Sequence, residues 1–161
     1  MDKDKLIKLM KLVIEEVDIA IEEGNSPFAA ILFDLNTLEV VFKNHNTAKS
    51  ESDVTRHAEI NLISEACRKL KTRDLSSYGL ISNAWSCSMC MSAAIKAKIS
   101  NFVFGAPSEE NMNPLVTVFD IQKKCKNKIN IMSGILENEC RKQIIDARSR
   151  NNVTNYKYNV N

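Results

Sequence analysis

Short apolar runs alternate with helix-like patterns along the second half of the chain, and this alternation restricts the fold more than any other feature. Three runs predict strands, at residues 78–83, 101–104 and 129–132. Helical spacing of apolar residues predicts helices that follow them, at residues 88–97, 116–125 and 136–150. Strands that alternate with helices form a largely parallel sheet that is covered on both faces.

The first half of the chain adds an antiparallel element to this pattern. A helix is predicted from Leu6 to Ile21, with Gly24 as its stop, followed by short apolar runs at Ala29–Asp34 and Leu38–Lys43. The two runs are close enough for a hairpin, which makes the sheet mixed. A second helix is predicted to begin near residues 53–55 and to end at about Leu70. The order is therefore α-β-β-α-β-α-β-α-β-α, an α/β fold with five strands.

Length and composition are those of a single globular domain. The chain has 161 residues, of which 44% are hydrophobic and 26% charged. We expect one domain over residues 1–150 and a polar C-terminal tail over residues 151–161. The first residues lack an apolar signal core, and no run is long enough for a membrane span, so we expect no membrane association. The odd number of cysteines, five, favours reduced thiols and a cytoplasmic location.

Charge is distributed unevenly along the chain. Residues 121–161 hold nine Lys/Arg and three Asp/Glu, a net charge of +6, whereas the first 120 residues carry −4. A basic C-terminal surface could contact phosphates, but a solvated helix surface is the commoner explanation of such a cluster.

Two short motifs stand at the starts of two predicted helices and indicate a metal site. His57 and Glu59 form a His-x-Glu motif, and Cys87 and Cys90 form a Cys-x-x-Cys motif about 30 residues further on. A helix N-terminus favours the thiolate form of cysteine, and thiolate and imidazole are the ligands that Zn²⁺ prefers. Each motif alone is weak, since Cys-x-x-Cys also occurs as a redox pair or as two core thiols. Their combination predicts zinc bound by His57, Cys87 and Cys90.

The number of ligands favours a catalytic site over a structural one. Structural zinc sites usually have four protein ligands, whereas three ligands leave a position for water, whose pKa falls to ~7. Glu59 lies beside the histidine and can take up the proton of that water and pass it to the substrate. The remaining cysteines, Cys67, Cys125 and Cys140, are interpreted as small apolar core residues, and His45 as a residue without a metal role.

With these two motifs the chain resembles the zinc-dependent deaminases of the cytidine-deaminase superfamily. His57-Ala58-Glu59 with Ser86-Cys87-Ser88-Met89-Cys90 is similar to the H-A-E and P-C-x-x-C signature of enzymes that deaminate nucleobases and nucleosides. The resemblance implies a three-layer α/β/α sandwich, a homodimer or larger oligomer, catalysis by Glu59 and a zinc cofactor.

Other segments carry the resemblance to particular branches. The segment 27–30, Pro-Phe-Ala-Ala, is similar to the first strand of guanine deaminases, whereas segments 104–106 and 134–140 resemble the tRNA adenosine deaminases. Asn46 stands where the family has an asparagine that contacts the base. We expect the substrate-binding residues to be Asn46, Phe28, Ala58 and Trp85.

The chain departs from the signature directly before the first cysteine ligand. The Glu-Pro of the family is Trp85-Ser86 here, which removes a stiffening proline and restores a backbone N–H. We expect zinc binding to persist, because the ligands are intact. Trp85 could instead fill part of a pocket or an interface.

The sequence is compatible with three functions. The first, which we favour, is hydrolytic removal of an exocyclic amine from a small nucleobase or nucleoside, with guanine or another purine as the first choice. The second is the same reaction on adenosine in tRNA, which the basic C-terminal region favours slightly. The third is a catalytically silent zinc-binding module, and the presence of Glu59 argues against it.

Overall fold

The computed structural model describes residues 1–108 and 114–150. The predicted order of elements is confirmed: α1 Lys3–Glu22, β1 Ala29–Asp34, β2 Val40–His45, α2 Ala58–Lys69, β3 Tyr78–Ala84, α3 Ser88–Lys96, β4 Asn101–Ala106, α4 Val118–Lys124, β5 Asn130–Ser133 and α5 Glu137–Arg150. Loop residues 109–113 and the predicted polar tail 151–161 lie outside the described residues.

The five strands form one mixed sheet in the order β2-β1-β3-β4-β5. Strand β1 pairs antiparallel with both β2 and β3, and β3, β4 and β5 are parallel to one another. The parallel half follows from the helical crossovers, and the antiparallel half from the short hairpin. Strands β3 and β4 therefore end at the same edge of the sheet, where the loops that follow them meet.

Two hydrophobic cores cover the two faces of this sheet and give the three-layer α/β/α sandwich. Alternate residues of the central strands point to opposite faces, as Phe102 and Val103 of β4 do. Residues of α2, α3 and α4 share one core with Phe102, and residues of α1 and α5 share the other with Val103. Both cores are made mainly of buried aliphatic and aromatic side chains, so the sheet is a rigid base for the loops at its edge.

The start of α2 differs from the prediction. The helix begins at Ala58, and His57 is its N-cap residue with an extended backbone. The preceding residues form a separate turn, because the Asp53 carboxylate accepts hydrogen bonds from the backbone N–H and the hydroxyl of Thr55. His57 therefore projects from the end of a loop rather than from the first helical turn.

Strands β3 and β5 differ from the predicted bounds by one residue, whereas β2 and β4 differ by two. Strand β2 covers Val40–His45 instead of Leu38–Lys43, because Leu38 has a φ of 60° and belongs to the turn that follows β1. Strand β4 continues to Ala106, two residues beyond its predicted end, and so includes Gly105. A Cβ atom at Gly105 would lie 2.6 Å from the carbonyl oxygen of Asn83, so glycine permits the neighbouring strand to approach.

Among the described residues, no helix is both long enough and apolar enough to cross a lipid bilayer.

Candidate active site

Three side chains from two helix starts meet at one edge of the sheet. Cys87 is the N-cap residue of α3 and Cys90 is the third residue of that helix, so both sulfurs face the same side. His57, the N-cap residue of α2, is brought opposite them because α2 and α3 pack on the same face of the sheet. The structure thus brings together the three residues that the sequence predicts as ligands.

The distances between these donor atoms fit a tetrahedral zinc ion. Nδ1 of His57 lies 3.6 Å from Sγ of Cys87 and 3.6 Å from Sγ of Cys90, and the two sulfurs are 3.5 Å apart. Zinc bonds of ~2.3 Å to sulfur and ~2.0–2.1 Å to nitrogen would place tetrahedral ligand atoms roughly 3.6–3.8 Å apart. Two sulfurs and one imidazole nitrogen are also the donor types that zinc prefers. The group can hold a zinc ion with little rearrangement.

The two thiols have different acidities because they share a hydrogen bond. This bond with Cys90 lowers the pKa of Cys87 to about 4, with His57 adding to the effect. The same contact with Cys87, together with burial, raises the pKa of Cys90 well above its ordinary value. Because zinc binds thiolates, metal binding would displace the proton that the two sulfurs share.

Glu59 lies beside these donors on the first turn of α2. Its side chain is buried, and its Oε1 accepts a hydrogen bond of 2.6 Å from the hydroxyl of Ser86. Ser86 directly precedes Cys87, so the carboxylate is held by the same segment that supplies the first sulfur.

A small cavity of about 80 Å³ opens in front of this group. Its wall includes three of the predicted substrate-binding residues, namely Phe28, Asn46 and Trp85, together with His57, Glu59 and Cys87. The side chain of Ala58, the fourth, is fully buried in the core between α2 and the sheet and does not line the cavity. A substrate contact of Ala58 would therefore come from its backbone N–H, at the start of the helix.

Asn46 presents one defined hydrogen-bonding group to the cavity. Its backbone N–H donates to the carbonyl of Phe28, and its side-chain oxygen accepts from the N–H of Ala48 at 3.1 Å. The oxygen is thus used inside the protein, which leaves the NH₂ group as the donor for a ligand. The structure therefore favours donation by this amide at the edge of a base.

Trp85 forms a fixed aromatic wall of the cavity. Its indole Nε1 donates to the hydroxyl of Ser133 at 2.7 Å, and its ring packs edge-to-face on Phe119 with centroids 5.2 Å apart. Its backbone N–H donates to the carbonyl of Ala106 in β4. Two ring contacts and one backbone contact, from three elements, therefore hold Trp85 in place where the family has a glutamate.

Several polar residues of the site were not found from the sequence. Ser82 and Ser108 line the cavity, and buried Asn83 donates to the carbonyl of Pro27 and accepts from the N–H of Ala29. Asn83 thereby fixes the segment that carries Phe28. These residues lie in a strand and a loop without motif spacing, so only the three-dimensional arrangement identifies them.

The remaining cysteines and His45 lie apart from this group. Cys140 is buried against Gly105, whereas Cys67 and Cys125 are partly buried and pack against the core on the α2 side, so the expected burial holds fully for Cys140. His45 bonds through both ring nitrogens to Glu16 and Glu23.

Comparison with known proteins identifies the family. The family model described as MafB19-like deaminase matches residues 2–140. The tRNA-specific adenosine deaminase of Bacillus subtilis is 32% identical, over 87% of this chain and 85% of its own length. A solved structure from a study of tRNA:A34 deaminases is 29% identical, covers 83% of this chain and 96% of its own, and superimposes with a TM-score of 0.73.

A second solved structure supports the fold alone. The guanine deaminase of Nitrosomonas europaea is 22% identical over 87% of this chain and 82% of its own, with a TM-score of 0.72.

Enzymes of this superfamily use zinc, and the His57, Cys87 and Cys90 group could hold the ion. The chain belongs to the MafB19-like deaminase family and is a hydrolytic deaminase with the cytidine-deaminase-like fold.

Proposed function

We propose that this protein is a zinc-dependent deaminase that removes the exocyclic amine of a purine. The observation that carries the proposal is the position of Glu59. Its buried carboxylate lines the same cavity as the His57 and Cys87 donors, opposite aromatic and amide side chains that can hold a flat ring. Water and the amine-bearing ring carbon would react there to give a carbonyl and ammonia.

The proposed chemistry divides between the metal and the protein. Zinc held by His57, Cys87 and Cys90 would supply Lewis-acid chemistry, which lowers the pKa of water towards ~7. The Glu59 carboxylate would take up one proton of the water and give it to the ring nitrogen next to the attacked carbon. It would then take up the second proton from the new hydroxyl on that carbon and give it to the amine, so that the carbonyl forms as the carbon–nitrogen bond breaks and ammonia leaves. Burial of Glu59 keeps this proton from exchanging with bulk solvent during the transfer.

The cavity walls support a purine as the substrate. Phe28 and Trp85 offer aromatic surfaces for the flat ring. The NH₂ group of Asn46 would donate to a ring nitrogen or a carbonyl, and both adenine and guanine carry such acceptors. Because the cavity is small, the base and not the sugar would enter it.

Two observations favour different ways of presenting this purine. The segment 27–30 favours a free, guanine-like base or nucleoside. The relatives favour adenosine within a tRNA, since the Bacillus subtilis protein is a tRNA-specific adenosine deaminase at 32% identity over most of both chains. The lysines of α4 and the loop after it, Lys123, Lys124, Lys126 and Lys128, could contact phosphates of such an RNA.

A substrate panel tests the proposal directly. Zinc-loaded protein is incubated with adenine, guanine, their nucleosides, cytidine and an RNA with the tRNA anticodon loop, and ammonia or inosine is measured. The proposal expects release from at least one purine substrate, and activity confined to cytidine contradicts it. Activity on the RNA would fall steeply with added salt, whereas activity on a free base would change little.

We also propose that the protein is a homodimer, on the basis of the family resemblance. Light scattering at micromolar concentration should give twice the mass of the chain, about 36 kDa from the 18.2 kDa of one copy. A clean monomer mass contradicts this assembly.

A further inference from the structure

Ser86 makes a contact that its neighbours in sequence do not explain. It follows β3 and directly precedes Cys87, yet its hydroxyl is turned towards α2, where it donates to Oε1 of Glu59 at 2.6 Å. Both side chains are buried, with 2% of Ser86 and 6% of Glu59 exposed. A distance of this size is typical of a hydroxyl bound to a charged carboxylate, which is among the stronger hydrogen bonds in proteins.

The contact restricts a side chain that otherwise has much freedom. A glutamate side chain has three rotatable bonds, and Glu59 stands at the second position of α2. Among the residues that the structure describes, Ser86 is the one hydroxyl bound to this carboxylate, and the Cys90 thiol is a second side-chain partner of Glu59. The short hydrogen bond from Ser86 favours one orientation of Glu59 relative to the cavity.

The position of Ser86 in the chain links this orientation to the metal group. Ser86 is bonded covalently to Cys87, whose sulfur lies 3.6 Å from Nδ1 of His57. The segment that fixes one metal donor therefore also fixes the carboxylate. A proline, which the family signature has at this position, carries no hydroxyl and could not make the contact.

We infer that Ser86 is a positioning residue, whose hydroxyl holds the Glu59 carboxylate in the orientation needed for proton transfer. This inference rests on the proposed function and deepens it. It assigns a role to the serine that replaces the family's proline. The Ser86 hydroxyl should therefore contribute more to the reaction step than to substrate binding, because Ser86 acts through Glu59 rather than through the substrate.

The first test compares kinetic constants of three proteins with measured zinc content. Ser86→Ala removes the hydroxyl, and Ser86→Thr keeps it. With the best substrate from the panel, Ser86→Ala should lower kcat by about ten- to a hundredfold, the range of one hydrogen bond to a charged group, and change KM by less than about threefold. Ser86→Thr should recover most of kcat, and all three proteins should bind one zinc ion.

The second test does not depend on activity. Unfolding is measured for wild type, Ser86→Ala, Glu59→Ala and the double variant, all loaded with zinc. A direct contact predicts that the effects are not additive, with a coupling of at least about threefold in the unfolding equilibrium constant. Ser82→Ala is the matched control, because this buried cavity serine donates to the carbonyl of Ala29 and not to Glu59. Its effect should add to that of Glu59→Ala.

The outcomes separate this inference from the proposed function. A wild-type kcat in Ser86→Ala, or additive unfolding effects of Ser86 and Glu59, overturns the positioning role even if the enzyme deaminates purines. Failure of the wild-type protein to release an amine from any purine overturns the proposed function. The unfolding cycle still decides whether Ser86 holds Glu59.

Discussion

His45 joins strand β2 to helix α1 through Glu16, with 2.7 Å between Nδ1 of the imidazole and Oε1 of the carboxylate. Both side chains are largely buried, and the second ring nitrogen bonds Glu23 at 2.9 Å. Lys43 also bonds Glu16 at 2.9 Å. This cluster should make the stability of the protein depend on pH. Its carboxylates and its histidine are charged together only at pH values above the pKa of the carboxylates and below the pKa of the histidine.

Stability should decrease as pH rises above neutrality. Burial alone would lower the pKa of His45, but its hydrogen bonds to Glu16 and Glu23 outweigh burial and raise the pKa above 6.5. A group with a raised pKa contributes its full stabilisation below the unfolded value of 6.5 and loses it as pH rises through the folded value. Urea unfolding of His45→Ala should therefore show a weaker pH dependence above pH 6.5, and at pH 6 a loss of about 1.5–3 kcal/mol.

A matched variant controls for this effect. Glu23→Gln removes the charge of the more exposed partner, whose side chain is 50% exposed, and should have a much smaller effect at pH 6. If His45→Ala and wild type lose stability in parallel above pH 6.5, another group carries the pH dependence.

Purified protein should contain about one zinc ion per chain. Cys87→Ser and Cys90→Ser should lose the metal, because a serine hydroxyl does not replace a thiolate as a zinc ligand. Cys125→Ser is the control and should keep it, since this partly buried cysteine packs against the core and lies outside the donor group. Full zinc content of both ligand variants by elemental analysis would show that the metal site is wrong.

Asn46 separates substrate recognition from local folding. Asn46→Asp keeps the oxygen that accepts from the N–H of Ala48 but loses the NH₂ donor that faces the cavity. The catalytic efficiency should fall by at least about tenfold, because a carboxylate would repel the acceptor atoms of the base. Thermal unfolding should change little. An unchanged kcat/KM would remove Asn46 from the recognition of the substrate.

Much of the fold was predictable because apolar periodicity reports local structure directly. The spacing of Leu6, Leu9, Met10 and Val13 identified α1, and these residues are buried as the pattern requires. The ends of helices and strands were harder to predict, since they depend on turns. Asp53 binds Thr55 in a separate turn, and α2 therefore begins only at Ala58.

The metal donors were predictable for a different reason. His57, Cys87 and Cys90 are rare residue types at fixed spacing, so their chemistry is visible in the sequence. The contact between Ser86 and Glu59 was not predictable, because they are 27 positions apart in the sequence and serine occurs in many environments. Only the packing of α2 against α3, which begins two residues after Ser86, shows that the hydroxyl reaches the carboxylate.

Glu59→Gln tests the central claim most directly, because it changes the proton carrier and keeps the size of the side chain. Zinc content should remain at about one ion per chain, since Glu59 is not among the three grouped donors. Ammonia release from the preferred purine should fall by roughly 10²–10⁴-fold, the usual contribution of a positioned acid–base group. A zinc-loaded Glu59→Gln protein with wild-type activity would contradict the account.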